Sequence, residues 1–482
     1  MLGKEEHARV AATFIRQNES QAPRILLAAA QSIIDGRRPP SVSVHIEKDA
    51  KAVAHLRVLL KARPKSAILW VELARHQAAL GETEKAQKSM QIALGLAPDH
   101  RWVLRSANRL LLHAGNEEAA HRLLVKHPRT PHDPWLMSAE LASALIAHKE
   151  PKFIRQAKDM LRHRSLHASH LSELAAAVAT IELETGAGKN ARKLLRQALI
   201  DPTENALAQI EWADRESHDG LALEPIVRRM PDAYEATCWV KYNDGQIEDA
   251  LTAAQEWLQD EPFANRPVGM VCYLAAFLDD FDLIIKTARE ALERDSEQVL
   301  HRNNLIYALL SKGQILRAPD DGELYKLIDF LKRRIADKDS DVSHPLADVG
   351  LLLYRIGRFQ EGRKMYEISM SVAEKRGNYL GRALAATMNS REAILFQTAW
   401  AKEALNEAHK AAKRVVSPGI TFYLRKLDAL IGAPDKVSKI LSPKNAAKWG
   451  TPEPFRNAVK DLRIVHTESG PELWVPEHLM KR

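Results

Sequence analysis

Cysteine is nearly missing from this chain: Cys238 and Cys272 are the only two in 482 residues. Two thiols cannot build a disulfide framework, so a reduced, cytoplasmic protein is expected. Long apolar runs are missing as well. No stretch reaches the roughly 18 residues that a spanning helix needs, and no transmembrane segment is expected. The opening MLGKEEHARVAATFIRQNES is broken by acidic residues and Arg16 before an apolar h-region forms, so it does not read as a secretory signal. Aromatic residues are only 6% of the chain, which makes the place where they gather informative.

Chemistry-bearing motifs are absent too. The run TGAGKN at 185–190 looks like part of a phosphate loop, but Leu183 and Asn190 occupy positions where that loop needs Gly and Ser or Thr. It reads as a helix–helix turn. His163, His167 and His170 lie close in RHRSLHASH, yet no Cys or HExxH run completes a zinc set, so they read as a solvated basic patch. No nucleophile–base pair can be assembled. The chain reads as a non-enzyme with no metal and no cofactor.

What is there is charge, unevenly spread. The formal net charge is +8, but residues 201–300 alone carry −14 while the segments on both sides are basic. Small residues also recur. In LWVELARHQAALGETEKAQKSMQIALGLAP, counted from Ala67, Ala74 stands at position 8, Gly81 at 15, Ala86 at 20, Ala93 at 27 and Pro98 at 32. Apolar residues before and after Gly81 recur at helical spacing. Gly81 can end the first helix in a left-handed conformation, and Pro98 ends the second. Two antiparallel helices approach closely only where facing side chains are small, which accounts for Ala74 and Ala86.

The pattern repeats every 34 residues. The unit from Arg101 has Ala107, Asn108, Gly115, Ala120 and Leu124 at its repeating positions. The unit from Pro231 has Cys238, Gly245, Ala250 and Pro262, the next from Asn265 has Cys272 and Ala288, and another starts at Val299. A shift through APDDG precedes a unit from Ser343. Asn108, Ile306 and Trp257 depart from the small-residue rule. This pattern resembles the tetratricopeptide (TPR) family and implies an all-α, right-handed superhelix of about nine to eleven hairpins. The runs APDHRWVLRSANRLLLHAG, DPTENALAQIEWA and DEPFANRPV are more narrowly similar to the TPR portions of bacterial proteins fused to, or encoded beside, PIN-type ribonucleases.

The expected organisation is as follows. Residues 1–66 hold N-terminal helices and a first degenerate repeat, with a loop at 36–44. Two clear units fill 67–130, degenerate repeats 131–230, and three acidic units 231–318. An insertion and longer hairpins follow over 319–416, then capping helices and an irregular tail over 417–482. The ESGPE sequence in that tail suits either a short hairpin turn or a plain extended tail.

The resemblance also implies which residues face a partner, because the first helix of each TPR unit lines the concave face at positions 2, 5, 9, 12 and 13. In the acidic units these are Asp232, Glu235, Trp239, Tyr242, Asn243, Tyr273, Phe277, Asn303 and Tyr307. A secondary, basic set is Arg75, Trp102, Arg105, Arg109 and His113. No unit has the Lys and Asn pair of the family's carboxylate clamp. The expected function is a protein–protein interaction scaffold, an accessory subunit of a bacterial complex. The alternative is an RNA-binding or regulatory subunit of a separate nuclease, of toxin–antitoxin or phage-defence type, working through the basic N-terminal half. The −14 segment interrupts any continuous phosphate-binding track.

Overall fold

The computed structural model describes residues 43–163, 166–217, 220–312, 323–336, 341–433, 463–467 and 470–474, with a few isolated positions before 43. A lone helix, α1 (Ser43–Ala62), leads into hairpins of antiparallel helices. These are α2 (Ala67–Ala79) with α3 (Thr83–Leu96), α4 (Arg101–His113) with α5 (Glu117–Lys126), and α6 (Pro134–Ile146) with α7 (Ile154–His163). Then come α8 (Ala168–Glu184) with α9 (Gly188–Ala198), then α10 (Glu204–Ser217) and the single turn α11 (Glu224–Val227). The acidic middle holds α12 (Tyr234–Asn243) with α13 (Ile247–Asp260) and α14 (Asn265–Phe277) with α15 (Phe281–Arg294), followed by α16 (Val299–Lys312) and by α17 (Glu323–Ala336), which packs on the next helix. Last are α18 (Ser343–Arg355) with α19 (Phe359–Lys375), α20 (Tyr379–Leu395) with α21 (Ala401–Ala412), and the closing helix α22 (Pro418–Ile431). The chain is an all-α solenoid of helix hairpins.

The turns form for the reason the sequence suggests. Gly81, Gly115, Gly186, Gly245 and Gly357 all have positive φ between their paired helices. Asp279 fills the same slot between α14 and α15 at φ 55°, which Asp tolerates better than most side chains. TGAGKN is such a turn, with α9 starting at Gly188. Ala74 and Ala86 are fully buried. The close approach of positions 8 and 20 is direct in the next unit, where Asn108 Nδ2 donates to the Ala120 carbonyl at 3.1 Å. Asn108 also donates to Ser143 Oγ at 2.8 Å, so a buried polar residue in a small-residue slot is satisfied rather than stranded.

One boundary differs from expectation, and in the tail the structure takes the hairpin of the two alternatives. Ser43 and Val44 already belong to α1 and not to a preceding loop. The tail forms an antiparallel pair, β1 (Arg463–Thr467) and β2 (Gly470–Trp474), with Thr467 opposite Gly470. The APDDG segment lies outside the described residues.

The core is a chain of apolar clusters, as a repeat array demands. Small clusters join α1 to α6, one runs from Met137 to Val240, and the largest runs from Cys238 to Leu427. That last cluster includes Ile420, Tyr423, Leu424 and Leu427 of α22, so the closing helix packs back against the acidic units. The N-terminal units also reach the middle. A Cβ on Gly81 would stand 2.8 Å from the Arg294 carbonyl oxygen at the end of α15, and the His113 ring meets Phe263 edge-on at 5.1 Å.

Candidate functional site

Position 8 of consecutive units places Cys238 and Cys272 in the core, 0% and 2% exposed. Both are free thiols. Burial pushes the Cys272 thiol up to about 12 and that of Cys238 further up, so neither supplies thiolate near neutral pH. Both should resist a thiol reagent in the native protein and react at once in denaturant. Rapid native labelling of either would contradict the burial. Among the described residues no group of three or more His, Cys, Asp or Glu could hold a metal, and no helix is long and apolar enough to cross a membrane.

The aromatic residues of the acidic units converge. Trp239 and Tyr242 meet edge-on at 5.8 Å, Tyr242 and Tyr273 at 5.9 Å, and Tyr273 and Phe277 at 4.8 Å. The chain itself covers part of this row. Ser417, which caps α22, lies 3.0 Å from the Tyr242 hydroxyl and 3.1 Å from that of Tyr273. The two tyrosine hydroxyls are 3.0 Å apart, closing a triangle. Phe277 is 1% exposed and packs against Tyr423 of α22. It is a core residue rather than part of an open face, because α22 occupies that end of the row. Tyr423 donates to Asp279 at 2.6 Å, and Lys426 pairs with the same carboxylate.

Two adjoining cavities remain beside the row. One, of about 910 Å³, is walled by Glu211, Asp214, Arg215, Trp239, Tyr242 and Asn243, with Tyr273 and residues 416–418. The other, of about 480 Å³, lies among α14, α16, α18 and α20, lined by Tyr273, Asn303, Tyr307, Asp348 and Met388. Trp239, Tyr273 and Leu380 border both. The Arg215 guanidinium stacks 4.1 Å over the Trp239 ring.

The remaining expected residues fall in three environments. Asn243 donates to Glu211 Oε1 at 2.7 Å. Tyr307 accepts from Arg391 at 2.7 Å, within a buried cluster where Arg355 and Arg391 both pair with Glu392. Asp232 and Glu235 line neither cavity. Asp232 is exposed, and Glu235 pairs with Arg266 while burial pushes its carboxyl up.

The basic set does not form one open surface. Arg105 pairs with Glu173 at 2.5 Å and lies 5.0 Å over the Trp135 ring, which clamps α4 to the following units. Arg109 meets Asn205 at 3.2 Å and Glu261 at 3.6 Å. Arg75 pairs with Glu72 on its own helix. Trp102 is 39% exposed, and His113 contacts Phe263 as above.

Sequence reasoning missed Glu211 and Asp348. Both are buried carboxylates, at 2% and 7% exposure, on helices whose charges read as solvent-facing. Burial pushes Glu211 up to about 7 and Asp348 well above the ordinary carboxylate range. The only signal was an acidic residue flanked by apolar ones, as in AQIEWA and LADVGL, and a half-buried helix face shows the same pattern.

No family model matches the chain, and no curated protein matches it. Solved structures do. Yeast Tom70 aligns at 13% identity over 83% of this chain and 95% of its own, with a TM-score of 0.30. The human IFIT1 dimer with PPP-AAAA aligns at 13% over 90% and 94%, TM-score 0.30. The APC/C hetero-tetramer Cut9–Hcn1 aligns at 10% over 79% and 86%, TM-score 0.26. At such scores the solenoid class rests on the hairpins and glycine turns described above. It is a TPR-like solenoid. The narrower resemblance to proteins paired with PIN-type ribonucleases finds no support among these structures.

Proposed function

We propose that the chain is a non-catalytic scaffold that holds a protein partner along the acidic middle, as an accessory subunit of a larger, bacterial complex. The observation that carries this reading is the shared wall of the two cavities. Trp239 and Tyr273 are partly exposed there, between chambers that also contain buried carboxylates. Aromatic anchors in partly desolvated pockets are where interface energy concentrates. The surrounding negative charge selects a basic partner and speeds its approach. Asp232, exposed and outside both cavities, contributes to steering, and Glu235 orients Arg266 at the rim.

The alternative, RNA binding by the basic N-terminal half, is weakened by its arginines. Arg105 and Arg109 already face Glu173 and Glu261, which lowers the positive charge available to phosphates.

The test uses the partner obtained by co-purification and surface-plasmon kinetics on the full chain. Trp239→Ala should weaken binding by about ten-fold or more, as for a hot-spot aromatic. Asp232→Asn should change it less than about three-fold. Raised salt should slow association more than it speeds release. Circular dichroism checks that Trp239→Ala remains folded. If Trp239→Ala binds like the native chain while a salt-sensitive gel shift with RNA is seen, the basic half is the working surface.

A further inference from the structure

The smaller cavity is lined by a buried carboxyl, Asp348, and by two buried polar atoms without a partner among the described residues, Asn303 Oδ1 and Ser343 Oγ. Asp348 is 7% exposed, and burial alone accounts for the rise of its carboxyl, with no hydrogen bond or neighbouring cation opposing it. Asn303 Oδ1, from α16, is buried without a donor. Both residues line the same space. Buried polar groups in a native fold are ordinarily paired, and burying a carboxyl without a cation beside it opposes folding. The unpaired Asn303 oxygen beside the buried Asp348 carboxyl, which has only the Tyr366 phenol among its charged or titratable influences, calls for an occupant that brings donors.

The cavity excludes most occupants. The other charged or titratable groups lining it are Arg266, His344, Cys272 and the tyrosines Tyr273, Tyr307 and Tyr366. Arg266 is engaged by Glu235 and lies 5.4 Å over the Trp257 ring. The Tyr273 hydroxyl is held by Tyr242 and Ser417, and that of Tyr307 by Arg391 and Met388. An anion would meet Asp348 at close quarters. A purely apolar group would leave the Asn303 oxygen unmet. The cavity wall is otherwise apolar and aromatic, with Ala276, Ile284, Leu384 and Met388 among its side chains.

We propose that this cavity receives a lysine side chain of the partner polypeptide, its ammonium held by Asp348 and Asn303 and its aliphatic stem lying against Tyr273, Tyr307 and Met388. An ammonium has three donors and no acceptor. The two carboxyl oxygens and the Asn303 oxygen supply three acceptors. A guanidinium has five donors in a rigid fork and would bury donors without partners. Tyrosine rings beside the stem give its methylenes apolar contact. The volume of about 480 Å³ is ample for one aliphatic cation. This assignment rests on the reading that the acidic middle binds a polypeptide, and it names the group recognised there. An ammonium at Asp348 also favours the ionised carboxylate, so uptake releases a proton.

The experiment titrates the full chain with n-hexylammonium, n-hexanol and n-hexylguanidinium, read by intrinsic tryptophan fluorescence and by calorimetry in two buffers of different ionisation enthalpy. The ammonium should bind about ten-fold or more tightly than the alcohol, as for a desolvated charge pair, and more tightly than the guanidinium. It should release protons on binding. Asp348→Asn should remove the preference for ammonium over alcohol while keeping the helical circular dichroism, since an uncharged isostere in that position does not burden the fold. Equal binding of ammonium and alcohol would overturn the assignment, as would a stronger guanidinium or a preference surviving in Asp348→Asn. The partner-binding reading stands or falls separately, on Trp239→Ala with the co-purified partner.

Discussion

Gly419→Ala is expected to destabilise the protein by about 3 kcal/mol, at the upper end of overpacking costs. The sign is the informative part. Gly419 lies in the first turn of α22, and alanine is the better helix former, so in an undocked helix the change would be neutral or stabilising. In the docked helix, Cδ2 of Phe277 would lie 2.6 Å from the new Cβ. Phe277 is 1% exposed and cannot swing into solvent. Its neighbours Tyr273 and Tyr423 fix it on both sides. The strain must therefore lift α22 from the aromatic row and disturb the Tyr242–Tyr273–Ser417 triangle. Urea unfolding of Gly419→Ala, Phe277→Leu and the double variant checks this. The double variant should cost less than the sum of the singles, because a smaller side chain at 277 makes room for the methyl. A Gly419→Ala protein as stable as the native one would mean that α22 is not seated on Phe277.

That docking also shows what the sequence could and could not disclose. The repeat units were legible because their determinants are local. A glycine fifteen residues into most units, mostly small residues at positions 8 and 20, and a helical apolar period all act within one hairpin. The hydrogen bonds that tie Ser417 and Gly419 to the aromatic row span 144 to 177 residues, from Ser417 to Tyr273 and from Gly419 to Tyr242. Nothing near Ser417 in the sequence announces them. Thus Tyr242, Tyr273 and Phe277 could be placed on the concave face, but which of them stays open depends on a distant segment. Asn243 and Tyr307 were placed on that face by the same rule, yet Glu211 and Arg391 engage their polar atoms. The basic set shows the same limit, since Glu173 lies 68 residues from the Arg105 it neutralises. Buried carboxylates were the least legible, because an acidic residue carries the same letter on a wet face and in a cavity wall.

Glu211 gives the second large expected effect, a change in how stability depends on pH. Its Oε1 accepts from Asn243, and its Oε2 is buried with no partner among the described residues. Burial is the main cause that pushes the carboxyl up to about 7, and nearby Glu235 and Asp214 add to it, against Arg215 and the Asn243 bond. The sign follows from proton counting. Between the ordinary glutamate value near 4.5 and about 7, the folded chain holds a proton that the unfolded chain has lost. Stability from this group is therefore full below about 4.5, falls as pH rises through that window, and is level above it. Glu211→Gln removes the titration while keeping the shape and the acceptor for Asn243. The stability of Glu211→Gln relative to the native chain should be constant in acid, rise from about pH 4.5 to 7, and then plateau. The plateau gain should be up to about 3 kcal/mol, on the order of 1.4 kcal/mol per pH unit across the window. Urea titrations of both proteins from pH 4 to pH 8.5 measure the difference directly, and other titrating groups cancel in it. A difference that does not change with pH would show that Glu211 is ionised in the folded chain, with its charge met by Arg215. The larger cavity would then present a fixed negative charge to any partner. If the rise is seen, that carboxyl keeps much of its proton in the empty cavity up to about pH 7, and an entering cation favours its ionised form, so part of the groove's selectivity for basic groups is gained at the moment of binding.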